Sequence, residues 1–157
     1  MSALGTDPRP GSGRIVVGVD GSTASEEALR WAIGQSGLTG QPVDAVTSWD
    51  IPVNYAIGPL LDFDWEGTAI ETLKDTVEKV ADAPGAKRVS QRVVQGHATQ
   101  VLLDEAADAA LLVVGSRGRG GFKGMLLGSV SQHVVARAAC PVVVVRDQAT
   151  APGSSDR

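Results

Sequence analysis

The stretch GSRGRGGFKGMLLGS, residues 115–129, gathers six glycines and three cations with no carboxylate. Glycines let a backbone approach a ligand closely. The amides of such a loop, with the unpaired N–H groups of a following helix start, attract anions. Arg117, Arg119 and Lys123 add positive charge or keep the loop soluble. The combination suits a polyphosphate, but neither common phosphate motif is present. The pattern G-x4-G-K-[ST] needs a Gly-Lys pair, which the chain lacks; in G-x-G-x-x-G the third glycine after Gly118 and Gly120 would fall at Lys123. A flexible loop whose glycines only serve turns would share this composition, so the run alone leaves both readings open.

Other reactive residue types form no constellation. His97 and His133 are not at metal-ligand spacing with an acid or cysteine, and read as surface or helix-face histidines. Cys140 is the single cysteine, which excludes a disulfide framework within the chain; beside Pro141 at a strand start it reads as buried and inert. Asp104, Glu105 and Asp108 read as a solvated helix stretch, and so do the eight carboxylates against two lysines in residues 50–82. No nucleophile–base pair stands out, so no catalytic residue and no metal ligand is assigned. A nucleotide bound here would be hydrolysed slowly or not at all, a weak ATPase remaining open because positioning alone gives some rate.

The elements that must hold the glycine run follow from periodicity. RIVVGVD (14–20) is a buried strand ending at Asp20. Thr23 and Glu26 form a capping-box pattern for a helix whose apolar face carries Ala28, Leu29, Trp31, Ala32 and Ile33 and which stops at Gly37 or Gly40. PVDAVTSW (42–49) is a second strand, 50–65 is irregular, and 65–82 is a helix with Ile70, Leu73, Val77 and Val80 on one face. Strand 86–96, helix 98–109 and strand 110–116 follow. Helix 129–139 starts with a Ser129/Gln132 capping-box pattern, and CPVVVVR (140–146) is the last strand. Trp31, Trp49 and Trp65 read as core or loop packing. Strands and helices in strict alternation imply an α/β fold with an open parallel sheet and helices on both faces. Ligands in such sheets bind at the carboxyl ends of the strands, where the glycine run lies.

At 157 residues one domain is expected, over about 14–146, with Pro/Gly/Ser-rich disordered tails at 1–13 and 147–157. The net charge of −4 argues against nucleic acid as partner. No apolar run reaches the roughly 18–20 residues needed to span a bilayer and no signal peptide opens the chain, so a cytoplasmic protein without membrane association is expected.

The spacing Gly115-x2-Gly118-x9-Gly128-Ser129, the opening IVVGVDGS and the ending GSVSQHVVARAACPVVVVR resemble the universal stress protein family, in its ATP-binding subgroup, over about residues 14–146. The resemblance implies five parallel strands in the order 3-2-1-4-5, an adenine nucleotide alpha hydrolase-like sheet that sets Asp20 beside Gly115 at the switch point. It implies ATP, with Mg²⁺, as cofactor. Asp20 then resembles the acid that contacts the adenosine, with Gly18 and Val19 lining its pocket, although an Asx turn or helix cap would also explain an aspartate there. Gly115 and Gly118 resemble the glycines that meet ribose and phosphate, with Arg117 between them. Gly128, Ser129 and Val130 resemble the phosphate cradle, Ser129 being also a candidate N-cap. Ser48 falls roughly where the family touches the base. The valines 142–145 would form a sheet edge, and the resemblance points to a homodimer through it, the other possibility being an edge covered by a tail. The function implied is nucleotide-sensing regulation in a stress response. A slow ATPase or a nucleotide-independent interaction module are the alternatives.

Overall fold

A computed structural model describes residues 13–52, 63–81, 89–118 and 126–147. The chain alternates β1 (Ile15–Gly18), α1 (Thr23–Thr39), β2 (Val43–Trp49), α2 (Trp65–Val80), β3 (Val89–Gln95), α3 (Ala98–Glu105), β4 (Leu111–Gly115), α4 (Ser129–Arg137) and β5 (Val142–Val145). All strand pairs are parallel and the sheet order is β3-β2-β1-β4-β5, as expected.

Successive strand side chains point to opposite faces, so each strand divides its apolar residues between two layers. Ile15 and Val17 of β1, with Val43 and Ala45 of β2 and Val113 of β4, pack under Leu29 and Ile33 of α1 and Leu73 and Val77 of α2. On the other face Val16, Val46, Leu112 and Val114 pack against Val101 and Leu102 of α3 and Val134 of α4. This two-sided burial is why β1, β4 and β5 read as continuous apolar runs rather than alternating ones. At the amino end of the sheet Arg14 ties three elements together. Its Nε lies 3.0 Å from Asp44 Oδ2, while Nη2 donates to the Glu105 carbonyl at 2.7 Å and meets Asp108 Oδ1 at 3.0 Å.

Several boundaries differ from the expectation. The N-cap of α1 is Ser22, one residue before the Thr23 pattern, and it accepts the Ser25 N–H. The helix runs through Gly37 and ends at Gly40, whose φ of 80° suits glycine. The N-cap of α4 is Gly128, not Ser129, and the Gln132 amide reaches back to the Leu127 carbonyl instead of closing a capping box. β1 stops at Gly18, two residues before Asp20, and α3 ends at Glu105. Trp31 and Ile70, expected on buried faces, are 38% and 48% exposed. Trp65 meets the Phe63 ring edge-on, with centroids 4.7 Å apart. Asp108 is solvated as expected and meets Arg14 there, whereas Glu105 is largely covered and paired with Arg92. Cys140 is buried, and that burial pushes its thiol pKa up, which keeps it protonated and unreactive. Arg119, Lys123, most of the 50–65 segment and the two expected tails, apart from Gly13 and Asp147, lie outside the described residues.

Candidate functional site

β1 and β4 are neighbours in register, Val17 facing Val113. From their carboxyl ends the chain leaves in opposite directions, into α1 on one face and toward α4 on the other. A crevice opens where adjacent strands diverge in this way. It is a cleft of about 440 Å³, and all ten residues singled out in the sequence line it: Gly18, Val19, Asp20, Ser48, Gly115, Arg117, Gly118, Gly128, Ser129 and Val130. Val46, Ala98, Leu102 and Val114, which the sequence reading did not single out, add apolar lining. Ser22, Ser25, Ser131 and Gln132 also line it.

The polar end is built around the start of α4. Of the four helices among the described residues, three carry a side-chain N-cap. Ser22 accepts from Ser25 N–H in α1, Asp64 from Gly67 N–H in α2, and His97 from Thr99 N–H in α3. α4 begins at Gly128, which has no side chain to offer, and no cap bond is made. Its first-turn amides, from Ser129 onward, therefore keep their hydrogen-bonding capacity at the cleft. The helix dipole adds partial positive charge there. Arg117, partly buried, is the cation among the described lining residues.

The two ends of the glycine run are drawn together at this point. Ser116 donates its N–H to the Val145 carbonyl at 2.8 Å, and its own carbonyl accepts the Gly128 N–H at 2.7 Å. The Ser131 hydroxyl donates to the Gly115 carbonyl at 2.7 Å, with the Ser116 carbonyl 3.2 Å away. The glycine run thus has a fixed base, whatever its middle does.

Asp20 serves the local backbone as well as facing the cleft. Its Oδ1 accepts the Ser22 N–H at 2.9 Å and the Ser22 hydroxyl at 2.5 Å, an Asx turn that sets up the cap of α1. Its Oδ2 is aimed toward the glycine run, 2.6 Å from where a side-chain Cβ on Gly118 would stand. The turn and the cleft-facing carboxylate coexist because a carboxylate has two oxygens. Val19 contributes differently from its neighbours. Its N–H donates to the Val46 carbonyl at 2.9 Å and its carbonyl accepts the Thr47 hydroxyl at 2.8 Å, so its backbone is occupied within the sheet.

The cleft thus combines an apolar lining from β2, α3 and β4, the Asp20 carboxylate, and the uncapped start of α4. The sequence model of the universal stress protein family matches residues 11–146.

The chain belongs to the universal stress protein family.

A universal stress protein of Mycolicibacterium smegmatis is 42% identical over 139 residues, covering 84% of this chain and 45% of that protein. One from Mycobacterium tuberculosis is 39% identical over 144 residues, covering 88% and 47%. The chain therefore spans about half the length of the curated universal stress proteins it matches. Among solved structures, the universal stress protein UspA from Lactobacillus plantarum shares the fold with a TM-score of 0.72 at 23% identity, over 89% of this chain and 100% of that one. A universal stress protein solved in complex with cAMP superposes with a TM-score of 0.66 at 28% identity, over 86% of this chain and 97% of that one. The universal stress protein of Archaeoglobus fulgidus in complex with dAMP gives 0.63 at 25% identity, over 86% and 98%. Among the described residues no helix is long and apolar enough to cross a membrane.

Proposed function

We propose that this universal stress protein is an adenine-nucleotide-binding regulator of a stress response, a cytoplasmic homodimer whose ligand is ATP carried with Mg²⁺. The observation that carries the reading is the mixed cleft, whose lining includes both an uncapped helix start and apolar side chains of β2, α3 and β4. The base rests against Val46, Ala98 and Leu102 with Ser48 at its edge, the ribose near Asp20, and the phosphates at Gly118, Gly128, Ser129 and Val130 with Arg117 beside them. Family relatives solved with cAMP and dAMP support an adenine nucleotide. Mg²⁺ would enter on the phosphates, and Asp20 is the lining carboxylate that reaches it through water. Among the described residues no cluster of three acids, histidines or cysteines offers a metal site of its own.

The test is calorimetric titration of ATP and of AMP, with and without Mg²⁺, into nucleotide-free protein. Micromolar binding is expected, reduced at least tenfold by Asp20→Ala and abolished by Gly118→Glu, which sets a carboxylate beside the phosphates. Equal binding by all three proteins would remove the nucleotide from this cleft.

The sheet edge supports the dimer. Pro141 and Val145 turn their carbonyls to β4, accepting from Leu112 and Ser116, so the backbone groups of Val142 and Val144 turn outward. An exposed edge of four valines is a template for pairing unless it is covered, and Val135 on the adjacent α4 is 49% exposed. Val144→Pro removes an outward donor while sparing the β4–β5 ladder. It is expected to turn a dimer into a monomer in light scattering at micromolar concentration. A monomeric wild type would sink the dimer without touching the nucleotide site.

A further inference from the structure

Nothing in the glycine signature assigns a role to the buried Ser131. It stands two residues beyond the end of the signature, is 4% exposed, and its hydroxyl points away from solvent to the backbone that ends β4. A serine within the first turn of a helix ordinarily serves its own helix, as Ser25 does by donating to the Ser22 carbonyl in α1. Ser131 instead bonds across the structure, to the Gly115 carbonyl at 2.7 Å with the Ser116 carbonyl at 3.2 Å. The Ser116 carbonyl already accepts the Gly128 N–H at 2.7 Å. Ser131 and Gly128 therefore fasten the first turn of α4 to one short backbone segment, Gly115–Ser116.

That fastening sets where the anion-seeking amides stand. With a glycine N-cap, α4 has no side chain of its own to define its entry angle. The spacing between the α4 start and the Arg117–Gly118 backbone is close, since a Cβ on Gly128 would lie 3.4 Å from both Arg117 Cα and Gly118 N. We propose that Ser131 is the positioning residue of the phosphate cradle: its cross-link to the end of β4 holds the Ser129 and Val130 amides at the distance from Gly118 that a phosphate group bridges. The residue does not touch the ligand through its hydroxyl, which is spent on the backbone. The inference rests on the nucleotide reading above and adds a determinant of phosphate affinity as distinct from base affinity.

The experiment compares AMP with adenosine by calorimetry, in wild type, Ser131→Ala and Ser131→Thr, with a thermal melt of each. Ser131→Ala is expected to weaken AMP binding about tenfold, the scale of one lost hydrogen bond, while adenosine affinity stays within twofold of wild type. Ser131→Thr keeps the hydroxyl and is expected to restore AMP affinity. An AMP-to-adenosine affinity ratio unchanged in Ser131→Ala, with wild type binding AMP, overturns the positioning role and leaves the nucleotide reading intact. A parallel loss of both ligands also overturns it, since that is the signature of a general structural role. Wild type that binds neither ligand overturns the nucleotide reading, and this inference falls with it. The melts guard the comparison: should Ser131→Ala fail to fold, Ser131→Cys, a weaker donor of similar size, is expected to show the same selective loss of AMP binding, and an unchanged ratio in that variant overturns the role.

Discussion

Gly128→Asp is expected to abolish nucleotide binding while the protein stays folded. Gly128 is the N-cap of α4 with φ −71° and ψ 167°, an extended conformation open to any residue. Its Cβ would meet Arg117 Cα and Gly118 N at 3.4 Å, a contact relieved by small adjustments. An aspartate there would accept the amides of the first turn, as Ser22 and Asp64 do in α1 and α2. Because replacing glycine at an N-cap gains only a few tenths of a kcal/mol, stability should stay within about 1 kcal/mol of wild type. Affinity should not. The same amides would be consumed, and a carboxylate would stand against the phosphate. Like charges brought together at a binding site cost several kcal/mol, so a loss of at least about a hundredfold is expected for AMP and ATP by calorimetry. Gly128→Ser, which caps without charge, should fall between. An aspartate variant that binds as well as wild type would show that the phosphate does not sit at the start of α4.

The second large effect is on stability. Gly115 matches the first glycine of the family signature, and the resemblance implies contact with ribose or phosphate. It lines the cleft, but its being glycine has another cause. A Cβ there would stand 2.7 Å from both the carbonyl carbon and the Cβ of Ala24, and 2.9 Å from the Ala24 carbonyl oxygen. Ala24 is buried in the first turn of α1, so backbone, not a flexible side chain, would have to give. Gly115→Ala must push α1 off β4, at a cost of about 3 kcal/mol. For a domain of this size that lowers Tm by roughly 10 °C. Gly118→Ala meets only the tip of Asp20, at 2.6 Å, and that side chain can turn aside. Its Tm should fall by no more than about 4 °C, the scale of the Asx-turn bond that Asp20 gives up, while nucleotide affinity falls, because Asp20 is displaced from the cleft. Melting followed by circular dichroism separates the two. A Gly115→Ala protein that melts like wild type would mean that α1 accommodates the methyl and that this glycine is there for the ligand.

Much of this protein could be read from its sequence. The runs at 15–18, 111–115 and 142–145 are apolar on both faces, which a sheet covered by helices on both sides satisfies. Their alternation with helical periods implies a parallel sheet, and the resemblance carried by the spacing of Gly115, Gly118, Gly128 and Ser129 pointed to residues, Asp20 among them, that the structure gathers in one cleft. What was not legible was anything that turns on a single residue of offset or on a neighbour distant in sequence. Ser22 and Thr23 are both good N-caps, as are Gly128 and Ser129, and periodicity does not resolve one position. The fold resolves it: Ser22 and Gly128 are the residues that stand in extended conformation at the helix starts. Trp31 and Ile70 lie on faces that look apolar, yet they are exposed because no element is placed over them among the described residues. Val46 and Leu102, not singled out in the sequence, belong to the core and also line the cleft, a double role that only the packing of α3 against the sheet reveals. Residue types and spacings determined which chemistry the chain carries. Which amides remain uncapped, which carboxylate oxygen faces the cleft and which glycine is needed for packing depend on contacts between residues far apart in sequence, and only the assembled sheet and helices decide those.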